Sequence, residues 1–265
     1  MKHIWMQESR KEMYPAKCYT PEAFSDATWE GFHQRWRQGA YRASFFHDMI
    51  LADARRFQPK PALLDIGCGR GFDGEPGLQQ SLAEAAGRYV AIEPDASIRL
   101  SECFTEVHRC ALEEAPLAAA SIDLAFAVFV VEHLRTPQSF FDKLIEILVP
   151  GGVFWGFTVD LRHAFALLSL AADRLGVKDW CLKNVGSAEV LRGPGHYRAF
   201  YRANTPNAIR RCASRFRCVR LMNLHQEGQF DAYLPRWARP GGRWLDRLAA
   251  ALGLPGPMLV MRLAK

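Results

Sequence analysis

One stretch constrains this chain more than any other. Leu63-Leu64-Asp65-Ile66-Gly67-Cys68-Gly69-Arg70-Gly71 is a short apolar run that breaks into three glycines at alternate positions. Lacking Cβ atoms, such a loop can turn sharply and let a ligand lie against its backbone. A glycine triplet alone describes many tight turns. Its setting narrows the choice, because the run reads as the end of a strand and a helical pattern follows at Leu78–Ala86.

The rhythm continues downstream. Tyr89–Ile92 reads as a strand, Ala96–Phe104 as a helix, Thr105–Arg109 as a weaker strand and Ile122–Val131 as a buried one. Pro137–Leu148 places Phe140, Phe141, Leu144, Ile145 and Leu148 at helical spacing. Pro150-Gly151-Gly152 ends that helix, and Val153–Val159 supplies the next strand. Strands alternating with helices predict a parallel sheet covered on both faces. Beyond it, Leu161–Leu175 reads as a strongly apolar helix and residues 176–205 as loop-rich. Pro206–Ser214 reads as a helix capped by Thr205, with strands at Phe216–Leu224 and Met258–Leu263. Ahead of the loop, Trp29, Phe32, Trp36, Tyr41, Phe45, Phe46 and Met49 recur mostly three to five residues apart, the pattern of one or two amphipathic helices.

Two acids sharpen the loop's meaning. Asp65 stands immediately before the glycines, where a carboxylate can hold the loop or meet a cationic ligand group. Glu93 ends the second strand, in Tyr89-Val90-Ala91-Ile92-Glu93-Pro94-Asp95, 22 residues after Gly71. A carboxylate at about that spacing can accept both hydroxyls of a ribose. Either acid singly also fits a helix cap or a solvated loop; the pair together favours a ligand.

On these residues the chain resembles the class I S-adenosylmethionine-dependent methyltransferases, whose first motif is an acidic residue followed by GxGxG. Further landmarks follow in order: Glu93 at the second strand's end, Pro116–Leu124 leading into strand four, Val131-Glu132-His133-Leu134 at its end, and Leu148-Val149-Pro150-Gly151-Gly152 before strand five. The resemblance spans about residues 60–160. It implies an α/β fold with a seven-stranded, mostly parallel Rossmann-like sheet and helices on both faces. A helical N-terminal cap segment would occupy residues 1–60, and the methyltransferase domain 61–265, with a cap insertion at about 160–205 between strands five and six.

The resemblance also implies S-adenosyl-L-methionine as cofactor. Gly67, Gly69 and Gly71 would line its methionine and ribose portion, Glu93 its ribose hydroxyls, and Asp65 would sit near its amino group through water or the loop backbone. Adenine would lie between Pro94 and the Ala111–Leu112 region. Many relatives carry an aspartate at the position of Ala111, so adenine recognition here falls to backbone groups or to Glu113.

Methyl transfer is a direct displacement that needs an aligned nucleophile and sometimes a base. His133, beside Glu132 at the end of strand four, is the first candidate base; an anchoring hydrogen bond is its alternative role. His196 and Tyr197, in Gly195–Thr205, are further candidates to orient or deprotonate a hydroxyl, with Arg198 or Arg202 placed to clamp an anion. His163 reads as a loop histidine. Phe129 occupies the position of a metal-supporting glutamate found in some quinone O-methyltransferases, so no metal is expected.

Composition sets the remaining bounds. The net charge is +6, and residues 192–243 hold eleven arginines against Glu227 and Asp231. Such a bias suits nucleic acid, a phosphorylated substrate, a membrane surface or a merely solvated face. Nucleic acid is disfavoured: Phe129-Val130-Val131-Glu132 stands where amino-group methylases of bases carry Asn/Asp-Pro-Pro-aromatic, and there is no Pro-Cys pair. A nicotinamide oxidoreductase is disfavoured by Phe72, which stands where GxGxxG requires its third glycine. The expected partner is a small-molecule acceptor. No apolar run reaches the roughly 18 residues of a membrane span, and residues 1–20 lack a secretory apolar block. With seven scattered cysteines and no CxxC pair, a cytoplasmic protein with reduced thiols is expected.

Overall fold

The computed structural model describes residues 25–176, 197–225, 227–228, 234 and 236–265. Its strands are β1 (Ala62–Ile66), β2 (Arg88–Ile92), β3 (Glu106–His108), β4 (Ile122–Val128), β5 (Leu148–Val159), β6 (Cys218–Leu224) and β7 (Met258–Ala264). They form one sheet in the order β3-β2-β1-β4-β5-β7-β6. The first five are parallel; β7 runs antiparallel between β5 and β6. The mostly parallel seven-stranded sheet expected from the sequence is present.

Strand alternation splits the apolar residues into two cores. Leu64, Val90, Ala125, Phe154 and Met261 face one layer, with α4 (Pro137–Ile147) and α6 (Pro206–Cys212) over them. Leu63, Tyr89, Phe126, Trp155 and Val260 face the other. There they meet α3 (Pro76–Ala85) and the N-terminal helices α1 (Asp26–Arg37) and α2 (Arg42–Ala54). The aromatic stripe seen in the sequence is therefore a packing surface: Phe32, Trp36, Phe45, Phe46 and Met49 are buried. Ile122 and Leu124 fall in different cores because the β4–β5 register shifts between them. Asp123, opposite the extra residues that β5 carries between Leu148 and Val153, accepts the N–H of Ala62 (2.7 Å) at the start of β1.

Three elements differ from the sequence reading. The helix expected at Ala96–Phe104 is absent; that stretch is a series of turns. Asp95 accepts both the N–H and the hydroxyl of Ser97 (2.9 and 2.6 Å). The Arg109 guanidinium takes the carbonyls of Asp95 and Ile98 (3.0 and 2.9 Å), which a helix would need for itself. Second, β4 stops at Val128, because Phe129 has φ +57° and turns the chain into a 3-10 turn at Val131–His133. Third, Arg239–Ala251 forms α7, an element concealed in the sequence by Pro240-Gly241-Gly242 in its first turn. The remaining helix among the described residues, α5 (Ala164–Arg174), follows β5, and Thr205 caps α6 by accepting the Ala208 N–H (3.2 Å), as expected.

A buried ion pair fastens the N-terminal helices to the sheet. Asp53 of α2 accepts from Arg262 of β7 (2.7 and 3.1 Å) and from the Trp155 indole of β5 (2.8 Å). Asp53 is fully buried and Arg262 is 2% exposed. Removing one member of such a pair leaves the other uncompensated in the interior. Asp53→Ala is expected to lower unfolding stability by about 3–5 kcal/mol in urea titrations, with the double variant Asp53→Leu/Arg262→Met recovering most of that loss.

Candidate active site

Parallel strands of an open α/β sheet present their carboxyl ends to ligands where the strand order reverses, here between β1 and β4. The glycine loop leaves β1 at this point. Gly67, Gly69 and Gly71 have φ of +68°, +54° and +143°, values that side chains with a Cβ rarely adopt. Their reasons differ. A Cβ on Gly71 would meet Pro76 N at 2.8 Å, so Gly71 lets the loop pack against the start of α3. One on Gly67 would meet Val130 Cγ2 at 2.5 Å. At Gly69 the nearest protein atom lies 4.0 Å away. That position faces open space, and only its backbone angle asks for glycine.

The end of β2 holds the loop from beneath. The carbonyl of Ile92 accepts from Gly67 and Cys68 (2.7 and 3.3 Å). Glu93, 6% exposed, accepts the Gly69 N–H through Oε2 and the Asp95 N–H through Oε1, both at 3.0 Å. The acid and the loop that spacing linked are therefore in direct contact. A carboxylate has about four lone-pair positions, so Glu93 keeps acceptor capacity for a diol.

Asp65 turns into the sheet behind the loop. Its Oδ2 accepts from Tyr89 (3.0 Å) and from Gln79 (3.3 Å), and Gln79 also donates to the Cys68 carbonyl (3.3 Å). Gln79 Oε1 is buried and has no hydrogen-bond partner among the described residues. Burial pushes the Asp65 carboxyl up to about 7, against the lowering effect of those two bonds; nearby Glu93 adds to the rise. Burial likewise pushes the Cys68 thiol up, so it is no ready nucleophile. Pro94 is exposed, Leu112 is buried in the core, and Ala111 is partly open at the start of a 3-10 turn.

On the far side, the segment between β5 and β6 straps across the end of β4. The Glu132 carbonyl accepts from Phe200 and Tyr201 (2.7 and 3.0 Å), and Arg202 donates to the Arg135 carbonyl (2.6 Å). Beneath, the buried Glu132 carboxylate accepts from the Thr158 hydroxyl (2.8 Å), which accepts from Asn204 (2.7 Å). Burial raises the Glu132 carboxyl above its usual range, against the opposing pull of His133.

His133 itself bonds through Nδ1 to the Arg198 carbonyl at 3.0 Å. A carbonyl only accepts, so Nδ1 carries the proton and the neutral ring keeps its lone pair on Nε2. The ring of Tyr197 stands edge-on to His133, centroids 6.1 Å apart, so two of the three sequence candidates meet. Tyr197 donates its hydroxyl to Asp95, next to Glu93. The Ser97 hydroxyl first, and the Tyr197 bond after it, draw Asp95 down to about 2; the bond to Asp95 pushes Tyr197 up to about 12, which makes the phenol a clasp in this arrangement. His196 lies outside the described residues. His163 follows Asp160, whose carboxylate is held by Arg162 and Asn223; burial lowers the His163 pKa. Phe129 stacks under the Arg42 guanidinium (4.8 Å). Among the described residues no group of three or more His, Cys, Asp or Glu is arranged to hold a metal ion.

Sequence reasoning missed Tyr89, Gln79, Thr158, Asn204 and Arg109. Only Tyr89 left a signal, since the register Leu63↔Tyr89 puts it on the same sheet face as Asp65. A recess lined by Leu51, Arg55, Lys60, Ser81 and Glu84 sits at the opposite, amino end of β1 and takes no part here.

Residues 64–156 match the family model described as a methyltransferase domain. The ubiquinone biosynthesis O-methyltransferase of Parvibaculum lavamentivorans is 32% identical over 143 residues, covering 48% of this chain and 55% of that protein. The mitochondrial ubiquinone biosynthesis O-methyltransferase of Homo sapiens is 30% identical over 155 residues, covering 48% and 41%. The chain spans about half the length of the curated relatives it matches. Among solved structures, the YcgJ protein of Bacillus subtilis shares the fold with a TM-score of 0.53 at 12% identity, over 84% of this chain and 98% of that one. Motif, strand order and matches together define a class I S-adenosylmethionine-dependent methyltransferase domain.

The three glycines separate experimentally. Gly71→Ala is expected to destabilise the fold in thermal unfolding, because its Cβ meets backbone. Gly69→Ala is expected to cost only about 1–2 kcal/mol of left-handed strain, yet to weaken S-adenosylhomocysteine binding in calorimetry by about tenfold or more through contact with the ligand. Equal binding by Gly69→Ala would remove the loop from the cofactor site.

Proposed function

We propose that this chain transfers a methyl group from S-adenosylmethionine to a hydroxyl of a small aromatic acceptor, with His133 as general base. The observation that carries the acceptor chemistry is the His133 tautomer: a ring whose Nδ1 proton is held by the Arg198 carbonyl offers Nε2 as a proton acceptor. The relatives named as ubiquinone biosynthesis O-methyltransferases support oxygen as the methylated atom. Free thiols at Cys68, Cys103, Cys110, Cys212 and Cys218 support a reducing compartment, the cytoplasm.

When bound, the cofactor supplies an electrophilic methyl group on a cationic sulfur. The chain's residues do the rest. Glu93 accepts the ribose hydroxyls while holding Gly69, and the space over Gly69 admits the cofactor's backbone-hugging portion. Ala111 and Pro94 flank the adenine. Asp65, behind the loop, favours the cationic amino-acid end. Glu132, through Thr158 and its carbonyl bonds to the strap, keeps His133 at the mouth, and Tyr197 clasps the strap to Asp95 beside the ribose site.

Two measurements test this reading. In a homocysteine-release assay across phenol and catechol acceptors, with products identified by mass spectrometry, His133→Asn is expected to lower kcat by about 10²–10⁴-fold. The KM for S-adenosylmethionine should barely move; an unchanged kcat would dismiss the base. The second test is pH. The folded Asp65 value of about 7 lies above its ordinary 3.8, so the stability it contributes is present at low pH and is lost as pH rises through about 7. A cation bound nearby favours the ionised form, so cofactor binding releases a proton and tightens as pH rises towards about 7. Calorimetry should show that slope in the wild type and a flat profile in Asp65→Asn.

A further inference from the structure

Helix α7 is built inside out. A surface helix of a water-soluble domain turns its apolar stripe inward and its charges outward. In α7 the side towards the protein is Gly242, Asp246 and Ala249, each only partly covered, and no residue of the helix is fully buried. Trp244, Leu245 and Leu248 point outward, 61%, 58% and 41% exposed, and Leu252 continues the stripe one turn on. At 100° per residue these four occupy a single arc of about 100°. Trp237, just ahead of the helix, is 84% exposed. Six of the eleven large hydrophobic side chains exposed among the described residues fall between 237 and 254, so the patch is a concentration, not the usual scatter.

The helix is nonetheless held in place. The Asp246 carboxylate accepts the Gly228 N–H (2.9 Å), Arg247 forks onto Glu227 (2.6 and 2.7 Å), and Gly242 admits Leu234 against the backbone. Topology fixes its location. It belongs to the connection from Leu224, the end of β6, to Met258, the start of β7, and these two residues pair beside Val159. That edge of the sheet is the carboxyl edge from which the glycine loop also leaves.

We propose that the outward face of α7 docks on an anionic bilayer surface, lying in the interface with Trp244, Leu245, Leu248 and Leu252 inserted. Three features select this occupant. Arg243 and Arg247 run along one flank of the apolar arc, a turn apart, and Arg239 lies a turn before them. The stretch 192–243 carries eleven arginines against two acids, which complements anionic headgroups and opposes a basic surface of like kind. Tryptophans at the start of the stripe suit the headgroup level, where an amphipathic ring is favoured. No helix among the described residues is long and apolar enough to cross a membrane, so contact would be peripheral. Docking there brings the open edge of the sheet to the bilayer whatever the acceptor proves to be.

Vesicle flotation of the full chain tests it. The protein is expected to float with phosphatidylcholine–phosphatidylglycerol vesicles, much less with phosphatidylcholine alone, and less again at high salt. Trp244→Glu/Leu248→Glu should reduce the bound fraction by about tenfold or more while leaving thermal unfolding unchanged, because neither side chain is buried. No flotation of the wild type with either vesicle would overturn the proposal. So would equal flotation of the double variant. Sedimentation velocity gives the rival outcome: a dimer abolished by the same substitutions, with no vesicle binding, would make this face a contact between two copies of the chain.

Discussion

The Glu93 carboxylate sits at the junction on which the site depends. Its two oxygens accept the N–H of Gly69 and of Asp95, so one buried side chain joins the loop after β1 to the turn after β2. The adjacent Ile92 carbonyl takes the N–H groups of Gly67 and Cys68. A loop with three residues at positive φ cannot satisfy its donors through regular structure, and a buried orphan donor is costly. The end of β2 supplies those acceptors. The same contact that relieves the loop's unmet donors also places a carboxylate with spare lone pairs against the space over Gly69. Loop stability and the proposed ribose contact thus share one arrangement.

A second constraint acts from the opposite side. Strand β4 ends abruptly at Phe129, whose left-handed backbone turns Val130 over Gly67 and presents the Glu132 carbonyl to the strap. The strap is fastened by main-chain bonds, and the His133 tautomer is a consequence of it. Glu132 and His133 divide the labour: the first is buried, with its carboxyl raised by desolvation, while the second is partly exposed and bonds to the Arg198 carbonyl. Moving the strap would release the Nδ1 proton and the Tyr197–Asp95 clasp together. The orientation of the His133 ring and the attachment of the segment to Asp95 are therefore coupled through residues 197–204.

Much of this was legible in the sequence, for local reasons. Positive φ demands glycine, so the loop announced itself. Ribose chemistry at the next strand's end fixed where to look for Glu93, and Thr205-Pro206 carried its own cap signal. What was not legible depended on partners far along the chain. The turns at 96–104 carry helix-compatible residues, and only Arg109 reaching back to two carbonyls abolishes the helix. The partner of His133 is a backbone carbonyl 65 residues away, which any amino acid provides. Asp65 was expected at the cofactor's amino end; its direct partners are Tyr89 and Gln79, which come to it through sheet register and the helix behind.

Helix α7 illustrates the converse problem. Pro240-Gly241-Gly242 reads as a break, yet proline fits the first helical turn and glycine at 242 is what lets Leu234 approach. Periodicity would not have helped either, because an apolar arc is ordinarily assigned to the core. Here the sheet beside it is already packed among the described residues: β7 is buried along its whole length and β5 over most of its own, while the edge strand β6 is half-buried. An apolar stripe of two leucines and a tryptophan, with a third leucine just past the helix end, costs the fold burial energy when left in water. The arginines along one side of that stripe would be poorly placed against a protein core but well placed at a charged interface. The proposed docking accounts for the inversion by placing an external apolar phase beside the sheet's open edge.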